Sequence, residues 1–184
     1  MDHDRALNME DYLKKNSPLK NGVIIRPSAN YNKVINYVYL GNFAASKDAE
    51  FFKNKKIKAV LNCTKDLPNT FINEKSIEYK RIPIDDSLKE IDFQKMYKSM
   101  PKIIEFIDKH VSRKETILVH CFAGRQRSAI AVAAYLVVKR GLSPKQACKF
   151  VMEKRPEAFH YGLSLNFSSS LQKFFEDLQK NKNK

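Results

Sequence analysis

Ile117-Leu118-Val119-His120-Cys121-Phe122-Ala123-Gly124-Arg125-Gln126-Arg127-Ser128 reads as a buried strand, a tight loop and the opening turn of a helix. The apolar run before His120 supplies the strand. Cys121 opens the loop and Arg127 closes it after five intervening residues. From Ser128 an Ala/Val-rich run continues to Arg140, apolar enough for a largely buried helix, and Gly141 ends it. A short loop leading into a helix N-terminus gathers backbone N–H groups into an anion cradle. Residues Phe122, Ala123, Gly124, Arg125, Gln126 and Arg127 would line it. Arg127 adds a planar, two-pronged donor suited to two phosphate oxygens. The same positive field favours Cys121 as a thiolate, the reactive form of the side chain. Gly124 permits a backbone turn that a side chain would obstruct.

Cys-x5-Arg alone arises by chance in roughly one chain in ten of this length. Requiring His120, Gly124 and Ser128 as well lowers that to well below about one in a thousand.

Away from this loop, strands and helices alternate. Val34 to Leu40, Ala59 to Asn62 and Ile77 to Ile84 read as strands, and Phe43 to Lys53 as a helix after the Gly41-Asn42 turn. Phe93 to Val111 has helical periodicity, but Pro101 is expected to kink or split it. Ser143-Pro144 predicts an N-cap and first turn for a helix reaching about Lys154. A last helix is expected from about Ser164 to Leu178. The pattern predicts a single α/β domain with a central, mostly parallel sheet flanked by helices. Residues 1–30 read as an N-terminal helical and extended segment, residues 31–178 as the domain and residues 179–184 as a polar tail. Residues 4–15 carry a modest apolar side of Leu7, Tyr12 and Leu13, and Val23-Ile24-Ile25 reads as a further strand.

The chain has 184 residues and a formal net charge of +14. That charge would attract phosphorylated or acidic partners, although nothing in the sequence requires a nucleic acid. No apolar run is long enough to span a membrane, and the polar N-terminus is not a signal peptide. Cys63, Cys121 and Cys148 are odd in number and widely spaced, which argues against a disulfide framework or a metal site. The expected setting is a reducing, cytoplasmic one.

His120 to Ser128 resembles the signature loop of cysteine-dependent protein tyrosine phosphatases, and the chain as a whole is similar to their small dual-specificity branch. Val38-Tyr39-Leu40-Gly41-Asn42 resembles that branch's opening strand and turn, and Ile57 to Asn62 its next core strand. Tyr79 to Asp86 resembles the strand leading to the family's general acid. Arg155-Pro156, Phe167 and Leu171 are similar to its C-terminal helical segment. The N-terminal segment and Tyr37 to Phe43 are similar to poxvirus-type members, which would mean action in host cytoplasm. That likeness offers a homodimer through the N-terminal helix; packing on its own domain and a frayed helix are the other arrangements.

The resemblance implies hydrolysis of phosphotyrosine and phosphoserine/threonine in proteins, with no metal or other cofactor. Cys121 would be the nucleophile, Arg127 the phosphate ligand, and Ser128 a hydrogen-bond donor to the sulfur. His120 would order the loop and favour the thiolate rather than act as general base. The family pattern favours Asp86 as the general acid, with Asp85 as backup. Asp92 looks instead like a residue of the next helix's first turn. Arg125 is an extra cation in the cradle and keeps a phosphoinositide or RNA 5′-phosphate substrate open as the alternative. Gln126 replaces a residue usually small in the family, and Ser164 stands where many relatives have Asn. Cys63 ends a core strand as a buried filler or as a thiol able to approach Cys121. His110 and His160 have no partner visible in sequence and read as surface residues. A phosphate-binding pseudoenzyme would lack the cysteine, the arginine or the acid; all three are present.

Overall fold

The computed structural model describes residues 29–87, 89–159 and 165–182, apart from the side chains of 165, 166 and 182. The expected N-terminal helix, the strand at Val23 to Ile25, His160 and Ser164 lie outside them. Among the described residues, five strands form one sheet: β1 (Tyr31–Ile35), β2 (Val38–Gly41), β3 (Ile57–Asn62), β4 (Glu78–Arg81) and β5 (Thr116–His120). Their spatial order is β1-β2-β5-β3-β4. Only β1 and β2 pair antiparallel; β2–β5, β5–β3 and β3–β4 are parallel. This is the mostly parallel α/β arrangement expected from the alternating pattern.

Period-two alternation assigns the strand residues to two faces. Ile117, Val119, Val38, Leu40, Ala59 and Leu61 belong to the larger core. Leu118 and Val60 belong to a smaller cluster on the opposite face, joined by Ile57, which precedes a register shift before Ala59. The larger core is covered by α2 (Glu90–Ser112), α3 (Arg127–Arg140), α4 (Pro144–Lys154) and α5 (Leu165–Lys182). The smaller one is closed by α1 (Ala49–Lys55), where Tyr31 stacks on Phe51 with ring centroids 3.7 Å apart. No helix of the described residues is long and apolar enough to cross a membrane.

Local chemistry moved several boundaries. Val34 to Leu40 is two strands rather than one, because the chain turns at Asn36-Tyr37 with Tyr37 at φ 69°. The helix expected at Phe43 begins only after Asp48, whose carboxylate caps it by accepting the Phe51 N–H at 2.9 Å; a 3-10 turn, Ala45–Lys47, precedes it. The fourth strand stops at Arg81, short of Ile84. Helix α2 runs unbroken through Pro101 rather than splitting. Pro101 is exposed, while Met100, Ile103, Ile104 and Ile107 hold the opposite stripe in the core, so packing outweighs the proline's cost of about 3 kcal/mol. His110 is also a correction: it is buried on that stripe, with Nδ1 2.7 Å from Glu115 Oε2 and Nε2 3.4 Å from Glu78 Oε2. Ser143 and Gln146 form the capping box of α4. The last helix continues to Lys182, past Leu178.

Candidate active site

The loop from Cys121 to Gln126 leaves the C-terminal end of β5, where parallel sheets usually carry their ligands, and enters α3 at Arg127. Its conformation follows from where its carbonyls go. The Phe122 carbonyl accepts the Phe43 N–H at 2.9 Å, and the Arg125 carbonyl accepts the Phe159 N–H at 2.9 Å. Between them, the Ala123 and Gly124 carbonyls accept from the Arg155 guanidinium at 3.3 and 2.8 Å. Four successive carbonyls are thereby engaged by donors outside the loop. Among the described residues, the N–H groups of Phe122, Ala123 and Gln126 have no protein acceptor. An oxyanion is the partner such donors would satisfy. Gly124 sits at φ 65°, and a Cβ there would lie 2.5 Å from the Gly41 carbonyl oxygen, so no side chain fits.

Cys121 lies at the base of the loop. Its Sγ accepts the Gly124 N–H at 3.3 Å and the Ser128 hydroxyl at 3.1 Å. Ser128 therefore does not cap α3; Gln126 occupies the N-cap position. Arg127 is nearly buried, donates from one terminal nitrogen to the Ile84 carbonyl at 3.1 Å, and places the other 3.4 Å from Asp86 Oδ2. Its Nε has no partner among the described residues. The arginine thus joins the cradle to the segment carrying the two aspartates. Asp86 faces the guanidinium, whereas Asp85 turns its carboxylate back to accept the Asp86 N–H at 3.0 Å. Asp92 is buried in the first turn of α2, where it accepts a hydrogen bond from Ser87 and ties the aspartate segment to that helix.

His120 is fully buried, and burial, reinforced by Arg81 and Arg127, pushes its imidazole down to about 4. It is neutral near pH 7, with Nδ1 facing the Cys121 carbonyl at 3.4 Å. Cys63 is one residue past the Asn62–His120 register pair, and its N–H donates to the His120 carbonyl at 2.8 Å. Burial pushes its thiol strongly up, with the neighbouring Cys121 adding to the effect. Cys148, on the buried face of α4, is raised to about 12 by the same desolvation.

Arg125 lies on the rim, bordering a cavity of about 510 Å³ that also takes in Lys47, Phe43, Phe122 and Asn42. Lys47 sits over the Phe43 ring, 4.3 Å from its centroid. Phe122 is 65% exposed, which makes the rim apolar as well as basic.

Arg155 is the site residue whose role sequence reasoning missed. It is 1% exposed, bonds Asn32 Oδ1 at 2.7 Å and the Ala29 carbonyl at 3.3 Å, and pairs with Glu157 at 2.9 Å. Nothing local in Lys154-Arg155-Pro156 distinguishes an arginine buried behind a loop some thirty residues earlier from one on the surface.

Residues 38–177 match the family described as dual specificity phosphatase, catalytic domain. The chain is 38% identical over 152 residues to the Drosophila melanogaster dual specificity protein phosphatase Mpk3, covering 78% of this chain and 36% of that protein. It is 36% identical over 143 residues to human dual specificity protein phosphatase 7, covering 76% of this chain and 33% of the relative. The chain therefore spans about a third of the length of these curated relatives. Among solved structures, human DUSP28 superposes with a TM-score of 0.71 at 26% identity, covering 82% of this chain and 96% of the other. DUSP15 does so with a TM-score of 0.63 at 29% identity, covering 83% and 97%.

Proposed function

The chain belongs to the dual specificity phosphatase catalytic-domain family, and from that membership and the geometry of its loop we propose that it hydrolyses phosphate esters of tyrosine, serine and threonine in proteins through a cysteinyl-phosphate intermediate. The observation that carries this reading is Cys121 Sγ at the base of the cradle, held by the Gly124 N–H and the Ser128 hydroxyl, with Arg127 bridging to Asp86.

In the first step the Cys121 thiolate attacks phosphorus and the bond from phosphorus to the substrate oxygen breaks. Asp86 delivers its proton to that departing oxygen. The loop N–H groups and Arg127 hold the non-bridging oxygens as charge redistributes over them. In the second step water attacks phosphorus, Asp86 takes a proton from it, and the phosphorus–sulfur bond breaks to release phosphate. The Ser128 hydroxyl, already directed at Sγ, stabilises the sulfur as it leaves as a thiolate. His120, neutral and facing the Cys121 carbonyl, positions the loop and takes no proton from substrate. The basic and apolar rim of Lys47, Arg125 and Phe122 receives the chain flanking the phosphorylated residue.

Cys121→Ser is expected to abolish turnover of phosphotyrosine and phosphothreonine peptides while leaving phosphate binding in place, and acid quench of the wild type should trap phosphate on Cys121. Full activity in the serine variant would end this reading. A preference of about a hundredfold or more in kcat/KM for phosphoinositide or triphosphorylated RNA over every phosphopeptide, roughly 2.7 kcal/mol, would transfer the same chemistry to the alternative substrates.

A further inference from the structure

The opposite end of the sheet has a construction that catalysis does not explain. There α1 and α2 end while β3 and β4 begin, and two adjoining cavities of about 420 and 530 Å³ share Lys58, Ser76 and Ile77. The first has an apolar floor of Phe52, Ile57, Phe71 and Ile77, the edge of the smaller hydrophobic cluster. Around it and the second cavity stand Lys53, Lys56, Lys58, Lys75 and Arg113, all exposed. None of these five is in an ion pair with another described residue.

Some lysines elsewhere on the helices do pair, Lys139 with Asp108 and Lys173 with Asp177. Within the groove, two of the three acids are already engaged. Glu78 is held by Lys109 at 2.7 Å and Glu115 by His110 at 2.7 Å, leaving Glu74. Part of the lysine content answers the negative end of α1, where Lys53 and Lys55 fall in the last turn. Lys58 and Lys75 lie on a strand and a loop and have no such account. Lysines without an acidic partner around an apolar depression match a ligand that brings carboxylates and a large apolar side chain together. A nucleic acid fits less well, since Phe52, only 7% exposed, offers no face on which a base could stack.

We propose that this groove docks an acidic segment of a partner protein, its carboxylates on Lys53, Lys58 and Lys75 and one aliphatic or aromatic side chain on the floor formed by Phe52, Phe71 and Ile77. The site stands roughly 15–20 Å from the cradle, the length of β5, so it recruits a partner without touching the chemistry. It is independent of what the cradle hydrolyses.

The test is fluorescence anisotropy of the full chain with a labelled twelve-residue peptide of glutamates flanking Leu and Phe. The same peptide with both apolar residues replaced by Ala, and a twelve-nucleotide oligouridine, serve as comparison probes. The Leu/Phe peptide should bind at least about tenfold more tightly than its Ala counterpart. Lys53→Glu with Lys58→Glu should weaken it about tenfold or more, while p-nitrophenyl phosphate turnover changes less than about twofold. Hydrogen exchange on the unmutated chain should show peptide-dependent protection across residues 52–58 and 71–77, which needs no variant to fold. The proposal is overturned if charge reversal leaves peptide affinity unchanged, if both peptides bind alike, or if protection maps elsewhere. Tighter oligouridine binding that the same reversal abolishes would make the surface a nucleic-acid groove and overturn it equally.

Discussion

Arg155→Met keeps most of the side-chain volume behind the cradle and removes its charge and donors. The structure sets the expected cost. The substitution leaves Glu157, 8% exposed, without the guanidinium 2.9 Å away, and it strips donors from the Gly124 and Ala123 carbonyls and from Asn32. Breaking a buried ion pair by deleting one partner costs about 3–5 kcal/mol. Each orphaned carbonyl adds about 1–3 kcal/mol in isolation, but groups in one network do not add, so about 4–5 kcal/mol is expected in all. That is a large share of the roughly 5–15 kcal/mol that stabilises an ordinary domain. Arg155→Lys retains the charge but cannot reach Gly124, Asn32 and Glu157 with one ammonium, and should fall between. The double variant Arg155→Met/Glu157→Leu removes the stranded carboxylate and should recover half of the lost stability, about 2 kcal/mol, without restoring the carbonyl clasp. Urea unfolding reads the stability and competitive inhibition by vanadate reads the cradle. In the double variant, vanadate should still bind about tenfold more weakly than in the wild type, the worth of about 1.4 kcal/mol. A single variant within about 1 kcal/mol of the wild type, or a double variant with full vanadate affinity, would refute a clasping role for Arg155.

Asp86→Asn should lower kcat by roughly 10²–10⁴-fold, most for leaving groups of high pKa, and remove one limb of the pH–rate profile; if Asp85→Asn does this instead, the acid is Asp85. Gly124→Ala forces both the φ of 65° and a 2.5 Å approach to Gly41, so loss of vanadate binding and destabilisation by at least about 3 kcal/mol are expected. Gly141→Ala is the control, since its φ of 67° faces open space and only the left-handed cost of about 1–2 kcal/mol applies. Burial holds His120 at about 4 against its ordinary 6.5, so the unfolded chain binds the extra proton in between. Its contribution is complete above about pH 6.5 and is lost as pH falls toward 4, up to about 3 kcal/mol, and His120→Asn should flatten that part of the urea-midpoint profile.

The sequence carried the features whose signal is local. A strand running into Cys-x5-Arg and an apolar helix specifies β5, the loop and α3 almost to the residue, because periodicity, Gly141 and the Ser143-Pro144 cap all act within a few positions. The misplacements occurred where a distant partner overrode a local preference. Pro101 is tolerated because it points to solvent while the rest of α2 is pinned to the core, and no single-helix pattern reveals that balance. His110 falls three residues beyond Ile107 on the inward stripe, a spacing that could have disclosed its burial had its polarity not argued otherwise. Arg155 had no signal of that kind, since its partners Asn32, Ala123 and Gly124 are supplied by β1 and the loop.

The cradle's geometry is therefore a property of three separate segments. Its inward N–H groups exist because its carbonyls are pulled outward by Phe43 after β2, and by Arg155 and Phe159 after α4. The signature loop supplies the atoms that would meet phosphate, while those flanking segments hold the peptide planes in the one orientation that presents them. Arg155 also bonds Ala29 and Asn32, so the same side chain fastens the entrance of β1 to the back of the loop. A displacement of the chain at Ala29 would be felt at Gly124 through one guanidinium, which makes Arg155 a direct mechanical link between the N-terminal side of the domain and the nucleophile's surroundings.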